Sequence, residues 1–321
     1  MPAFDLPVGQ LRVYPGKNPR PADFDAYWDR ALREMEAVDP QVTLIPASFR
    51  HPALACFDLY FTGTHGARLH AKYVRPHRIS APVPAVLQFH GYSMASGDWS
   101  GLLPMASAGF AVAALDVRGQ GGLSEDTGGV RGMTWFGHIV RGLDDPDPDK
   151  LLYRDIFLDT ALLSRIVAGF PEVDGDRLAA MGGSQGGGLT LACAALADIK
   201  LAAPSYPFLS DYQRAWELDL GTRAYSELKE YFRRFDPTHA RETEIFTKLG
   251  YVDVQHLAPR IRARVHMFTA LSDMTCPPSS QFAAYNKITS PKQVTFYPDY
   301  GHEWLPDSAD QTLMWFVREL L

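Results

Sequence analysis

Residues 176–192 read Asp176-Arg177-Leu178-Ala179-Ala180-Met181-Gly182-Gly183-Ser184-Gln185-Gly186-Gly187-Gly188-Leu189-Thr190-Leu191-Ala192. At their centre, Gly182-x-Ser184-x-Gly186 fits the G-x-S-x-G pattern of a serine on a sharp strand-to-helix turn. A bare G-x-S-x-G arises by chance in glycine-rich loops, so its surroundings decide. Upstream, the short apolar run 176–181, entered by the turn signal Val173-Asp174-Gly175, reads as a buried strand. Downstream, Leu189, Leu191, Ala192, Ala194, Ala195 and Leu196 are apolar helix formers among small residues, which suits a helix lying close on a sheet. Strand, serine turn and small-residue helix are the context the motif requires. The flanking glycines are expected where a Cβ has no room.

The rest of the chain alternates in the same manner. Apolar runs at 85–89, 109–117, 201–203, 265–270 and 293–297 read as strands, with helices expected at about 153–168 and 309–320. Alternation from residue 85 onward implies a mostly parallel central sheet with crossover helices. Before it, strands 56–62 and 68–74 flank the hairpin signal Gly63-Thr64-His65-Gly66, adding antiparallel strands at one edge. A helix carries Phe24, Tyr27, Trp28 and Leu32 at helical spacing. Residues 211–257 break the alternation with helical, aromatic and charged sequence, and read as a cap inserted over the strand ends. No repeat or linker divides the chain, so residues 1–321 are expected to form a single α/β-hydrolase domain with that insertion.

Composition narrows the function classes. Net charge is −6, which argues against nucleic acid or an anionic membrane as partner. No apolar run approaches the ~20 residues that span a bilayer. The opening Met1-Pro2-Ala3-Phe4-Asp5-Leu6-Pro7 has neither a basic nor an apolar leader segment, so no signal peptide is expected. The three cysteines, Cys56, Cys193 and Cys276, are odd in number and widely spaced, which fits a reducing, cytoplasmic setting.

A serine hydroxyl is a weak nucleophile until a base takes its proton, and the base needs an orienting acid. On this fold the order is Ser, then Asp or Glu, then His. His302 follows the last expected strand and precedes the last helix, whereas His51, His65, His70 and His77 precede the core sheet, His239 and His256 lie in or near the insertion, and His266 lies inside a strand. Asp273 follows the strand 265–270; Asp253 precedes that strand, and Asp299 is too near His302 in sequence to orient its ring easily. Ser184, Asp273 and His302 are therefore the candidate catalytic residues. The candidate oxyanion donors are the backbone N–H groups of Gln185, after the nucleophile, and Tyr92, after the strand ending in His90-Gly91. Tyr92, Tyr206, Phe208 and Trp216 are candidate walls of a small acyl pocket. No metal or nucleotide cofactor is expected. His302-Glu303 fails H-E-x-x-H at Pro306, and the run from Gly119 fails G-x-G-x-x-G at Ser124.

Three motifs then point one way: Arg118-Gly119-Gln120, Gly182-x-Ser184-Gln185-Gly186 and His302-Glu303. In this order and spacing they resemble the acetyl xylan esterase and cephalosporin-C deacetylase family of α/β-hydrolases. The opening from Phe4-Asp5-Leu6-Pro7 through Tyr27-Trp28, and Arg141-Gly142-Leu143-Asp144 followed by Tyr153-Arg154, look similar too. The resemblance implies a serine esterase that removes acetyl groups from short acetylated carbohydrates, such as xylo-oligosaccharides, and from related small esters such as cephalosporin C. It implies no metal, a cytoplasmic location and a homo-oligomer, a hexamer whose inner cavity excludes long polymers. Arg118 reads as loop-tying support, since a guanidinium bridges several acceptors; Gln120 and Glu303 are placed with it as supporting residues. Two rivals stay open: a serine peptidase of the prolyl-oligopeptidase type, which usually needs a large accessory domain, and a non-catalytic hydrolase scaffold, which tends to lose a triad member.

Overall fold

The computed structural model describes residues 5–129, 138–220 and 225–321 of the chain; Phe4 and part of the insertion lie outside them. Among the described residues the strands are β1 (Thr43–Pro46), β2 (Leu54–Thr62), β3 (Arg68–Pro76), β4 (Val83–Phe89), β5 (Ala111–Leu115), β6 (Val173–Gly183), β7 (Leu201–Ser205), β8 (Arg264–Ala270) and β9 (Lys292–Tyr297). They form a single sheet in the order β1-β2-β3-β5-β4-β6-β7-β8-β9. The pairs β1–β2, β2–β3 and β3–β5 are antiparallel, and every pair from β5 through β9 is parallel.

Among the described residues the α-helices are α1 (Val8–Leu11), α2 (Phe24–Glu36), α3 (Leu103–Ser107), α4 (Leu152–Ala168), α5 (Gln185–Leu196), α6 (Tyr212–Glu217), α7 (Ser226–Phe235), α8 (Glu242–Leu249), α9 (Val254–Leu257), α10 (Pro278–Tyr285) and α11 (Ser308–Leu320). None is long and apolar enough to cross a membrane.

Alternate residues of the parallel strands enter two different cores, which is why these strands read as continuous apolar runs. Ala85, Leu87, Leu178 and Ala180 face a core shared with α2, α4 and α5. Val86, Val112 and Ala179 face the opposite core, filled by Phe110 and by Trp315, Phe316 and Leu320 of α11. The helical spacing near the N-terminus is explained by burial of Phe24, Tyr27, Trp28, Ala31 and Met35 along α2. Trp28 stacks on Phe157 of α4 with ring centroids 5.8 Å apart.

Some expected boundaries shift. Val173-Asp174-Gly175 is not a turn before the strand but the start of β6. Val83 pairs with Val173, yet Ala85 pairs with Leu178, so a local turn is absorbed as a bulge. Asp174 closes that turn by accepting the Asp176 N–H at 3.0 Å. The strand expected at 109–117 begins at Ala111, after Gly109 at φ +115°. β1 and α10 have no counterpart in the sequence reading. Helices α6 to α9 lie between β7 and β8 among the described residues.

Because β4 to β9 run parallel, their C-terminal ends share one edge of the sheet. His90, Asp116, Ser184, Tyr206, Asp273 and His302 all follow those ends. This edge is where open α/β sheets place ligands.

Candidate active site

Ser184 sits at the junction of β6 and α5 with φ 58° and ψ −121°, a backbone state L-residues rarely adopt. Two close approaches hold it there. A Cβ on Gly182 would lie 2.5 Å from the Phe89 carbonyl oxygen, and one on Gly186 only 2.0 Å from that same atom. Only glycine lets β4 and the turn pass so closely. The turn is fastened by Ser184 N–H donating to Ser205 O at 3.0 Å and by Phe208 N–H donating to Ser184 O at 2.9 Å.

Ser184 Oγ lies 3.0 Å from His302 Nε2, and His302 Nδ1 lies 2.8 Å from Asp273 Oδ2. Asp273 is fully buried, and its other oxygen accepts the N–H groups of Thr275 and Cys276, each at 2.8 Å. An ionised carboxylate only accepts, so the imidazole proton sits on Nδ1 and Nε2 is left to accept from the serine hydroxyl. Three residues separated by 118 and 29 positions thus form one continuous chain of hydrogen-bond contacts.

Cys276 Sγ lies 4.0 Å from Ser184 Oγ. Burial pushes its thiol well above the usual range, so it stays protonated and unreactive. Asp273, Cys276 and His302 bring a carboxylate, a thiol and an imidazole within 4.8 Å of one another. Both imidazole nitrogens are already engaged, which leaves neither as a free metal ligand.

Among the described residues, neither candidate oxyanion donor is used up within the fold. Gln185 opens α5, so its N–H has no carbonyl one turn earlier to bind. Tyr92 N–H meets no acceptor among the described residues. The loop carrying Tyr92 is pinned on both sides. His90 Nε2 accepts the Val117 N–H at 3.0 Å and its Nδ1 donates to Gly91 O at 2.8 Å, an arrangement of a neutral ring; burial lowers its pKa accordingly. Gln120 Oε1 accepts the Ser93 N–H at 3.0 Å.

Gln120 and Gln185 form a reciprocal amide pair, Gln120 Nε2 to Gln185 Oε1 at 2.7 Å and Gln185 Nε2 to Gln120 Oε1 at 3.0 Å. Tyr153 Oη also donates to Gln185 Oε1, at 2.7 Å. The glutamine after Ser184 therefore turns its side chain to the loop opposite. Sequence reasoning did not single out Tyr153 for this; its only signal was membership of the Tyr153-Arg154 pair.

Arg118 stands behind this layer. It is 1% exposed and grips Asp159 of α4 with Nε at 2.7 Å and Nη2 at 2.6 Å, while Nη2 also donates to Thr64 Oγ1 at 3.1 Å. It touches neither Ser184 nor His302. Glu303 accepts the Gly301 N–H at 2.9 Å, within the loop that carries His302.

The four candidate wall residues separate. Tyr206 packs against His302 with ring centroids 4.8 Å apart. Tyr92 and Phe208 meet edge to face at 5.6 Å, and Phe208 meets Tyr225 in the same way at 4.8 Å. Trp216 does not join them. It stacks on Phe232 at 4.6 Å and lies 6.4 Å from Phe246, inside the insertion's own packing. An aromatic-rich segment carries no local sign of which cluster each ring enters.

Glu227 of α7 was also missed. It is 1% exposed and accepts from Tyr92 Oη and, at 3.1 Å, from the His138 N–H; burial pushes its carboxyl up to about 7. A separate groove of about 700 Å³, lined by Arg177, Lys200, Arg262 and Arg264 among others, lies at the opposite, N-terminal ends of the strands.

The profile of the acetyl xylan esterase (AXE1) family matches residues 1–320. Acetyl esterase Axe7A of Xylanibacter ruminicola is 27% identical over 317 residues, covering 94% of this chain and 67% of that protein. The crystal structure of acetyl xylan esterase 1 from a Thermoanaerobacterium species is 55% identical with a TM-score of 0.96, covering 98% of this chain and 99% of that one. An acetyl xylan esterase from Paenibacillus sp. R4 is 38% identical with a TM-score of 0.92, covering 98% of this chain and 100% of that one. On this agreement of sequence and structure along nearly its whole length, the chain belongs to the acetyl xylan esterase family and is a carboxylic ester hydrolase of the α/β-hydrolase fold.

Proposed function

We propose that the protein is a serine esterase that removes acetyl groups from short acetylated carbohydrates, acetyl xylo-oligosaccharides above all, and from related small esters such as cephalosporin C. The observation that carries this reading is the chain of contacts Ser184 Oγ–His302 Nε2 at 3.0 Å and His302 Nδ1–Asp273 Oδ2 at 2.8 Å, on a serine held in a strained turn.

The reaction runs in two acyl transfers. Ser184 Oγ attacks the acetyl carbonyl carbon while its proton passes to His302 Nε2, and Asp273 stabilises the imidazolium. The Tyr92 and Gln185 N–H groups bind the oxyanion, each supplying about 3 kcal/mol of barrier reduction. His302 then gives its proton to the sugar oxygen, the alcohol leaves, and Ser184 carries the acetyl group. Water, deprotonated by His302, attacks that ester; the bond from Ser184 Oγ to the acyl carbon breaks, acetate leaves, and His302 returns its proton to Ser184 Oγ. Tyr206 beside His302, and Tyr92 with Phe208 beside the elbow, close the space for the acyl methyl. Bulky rings at this place favour short acyl chains.

The acetylated sugar is supported by the names of the two relatives with the highest identity quoted above, both acetyl xylan esterases. A homohexamer belongs to the same proposal and is read out by light scattering on the purified protein, and a cytoplasmic location is read out by cell fractionation.

Initial rates on 4-nitrophenyl acetate, butyrate and octanoate, on a peptide anilide, on acetylated xylobiose and on cephalosporin C test the substrate class. The expected order has acetate well above butyrate, octanoate near zero, and both natural-type acetates turned over. Preference for the anilide would replace this reading with a peptidase.

A further inference from the structure

We propose that Glu227 is a positioning residue for catalysis: by holding the Tyr92 side chain it aims the Tyr92 N–H, so that the insertion completes the oxyanion hole. The proposal rests on reading the Tyr92 N–H as an oxyanion donor.

The argument begins with a misplaced charge. α7 has the sequence Ser226-Glu227-Leu228-Lys229-Glu230-Tyr231-Phe232-Arg233-Arg234-Phe235 and most of its charges serve its outer face. Glu230, for example, lies 3.8 Å from Arg233 and 3.3 Å from Arg234 on that face. Glu227 instead turns inward and is 1% exposed. A carboxylate buried without partners costs several kcal/mol, so its partners define its role. They are Tyr92 Oη on one oxygen and the His138 N–H at 3.1 Å on the other. Neither belongs to α7. The carboxylate spans from the insertion to the oxyanion loop and to His138.

Tyr92 is consequently held at three points. Its ring stands edge to face against His138 at 4.9 Å and against Phe208 at 5.6 Å. Phe208 is itself tied to the elbow, its N–H donating to Ser184 O at 2.9 Å. The hydroxyl is the third point, fixed on Glu227. The backbone anchors described above act at His90 and Ser93, one on each side. The peptide that carries the Tyr92 N–H is held at its carbonyl, Gly91 O, by His90 Nδ1 at 2.8 Å and the Met94 N–H at 3.2 Å, and the Tyr92 side chain adds the restraint on its other side. An oxyanion donor works by being aimed before charge develops, so releasing the hydroxyl costs turnover rather than substrate binding.

The test is a double-mutant cycle on 4-nitrophenyl acetate with Tyr92→Phe, Glu227→Leu and the double variant, with kcat expressed per Ser184 site counted by complete phosphonylation. Each single variant is expected to lower kcat by about tenfold, a fraction of the 10²–10³ lost when a donor is removed, with KM within about twofold. The double variant is expected to be no slower than either single one. Glu227→Gln, which keeps an acceptor for Tyr92 but loses one for His138, is expected to fall between wild type and Glu227→Leu. Losses that multiply in the double variant, or a wild-type kcat in Glu227→Leu, overturn the proposal. If Glu227→Leu does not fold, wild-type kcat in both Tyr92→Phe and Glu227→Gln overturns it equally. Ser184→Ala run alongside separates the levels: activity there removes the serine reading itself, whereas an inert Ser184→Ala with a flat cycle removes only the role of Glu227.

Discussion

Both oxygens of Asp273 are engaged. One oxygen faces His302 Nδ1 and the other takes two backbone N–H groups, so the carboxylate cannot rotate away from the ring. Asparagine at that place presents an amide N–H where an acceptor is needed, and His302 answers by moving its proton to Nε2, the wrong atom for a base. For Asp273→Asn we expect kcat on 4-nitrophenyl acetate to fall by about 10⁴ with KM little changed; a loss under tenfold would show that Asp273 does not orient the base. Residues of this kind were legible in the sequence because their positions follow from chain order on a known fold. Glu227 was not. It lies 135 positions from Tyr92 in a helix of mixed charges, and nothing local marks which glutamate is inside. Trp216 failed for the reverse reason, since proximity of an aromatic segment to the site does not say which rings reach it.

Among the elements, the strand β6, the turn at Ser184 and α5 were readable because close packing demands small residues, and small residues are visible. β1 was invisible: its four residues are all exposed, so no alternation marks them. The Arg118 grip is the clearest link between elements. It joins the segment after β5 to α4 through Asp159 and to the hairpin turn through Thr64. The burial that pushes the Asp159 carboxyl up to about 6 is opposed by Arg118, so the pair is costly to break. Arg118→Met is expected to lose about 3–5 kcal/mol of stability in urea unfolding, while kcat per folded site stays within about threefold. Unchanged stability with a large drop in kcat would move Arg118 from support into the chemistry.

At the scale of the whole molecule, the antiparallel edge and the parallel sheet meet where β3 pairs with β5. There His70 lies buried between Asp116, 2.7 Å from Nδ1, and Asp58, 3.0 Å from Nε2. Burial opposes its charge, but the hydrogen bonds to Asp116 and Asp58 outweigh it and raise its pKa above 6.5. Asp116 is held well below the usual carboxylate range: burial acts against this, and hydrogen bonds from His70, Leu123 and Ser96 prevail. A raised histidine gives stability that is full below 6.5 and fades as pH rises through its folded value. A depressed aspartate gives stability present above 3.8 and lost as pH falls through its folded value. Their joint contribution therefore peaks between those limits. His70→Gln is expected to flatten the decline of the urea midpoint above pH 6.5; parallel curves for variant and wild type would refute it. The mostly parallel sheet with crossover helices was legible at this scale from alternation, and the serine turn made it an α/β-hydrolase, whereas the charged joint was not legible, because His70 lies in a strand, and Asp116 just past the end of one, read for apolar content. The central claim concerns Ser184, and its most direct measurement is kcat/KM for 4-nitrophenyl acetate in Ser184→Ala against wild type, both checked for an unchanged unfolding midpoint. The account predicts a loss of about 10⁴–10⁶; a folded Ser184→Ala enzyme within twofold of wild type would contradict it.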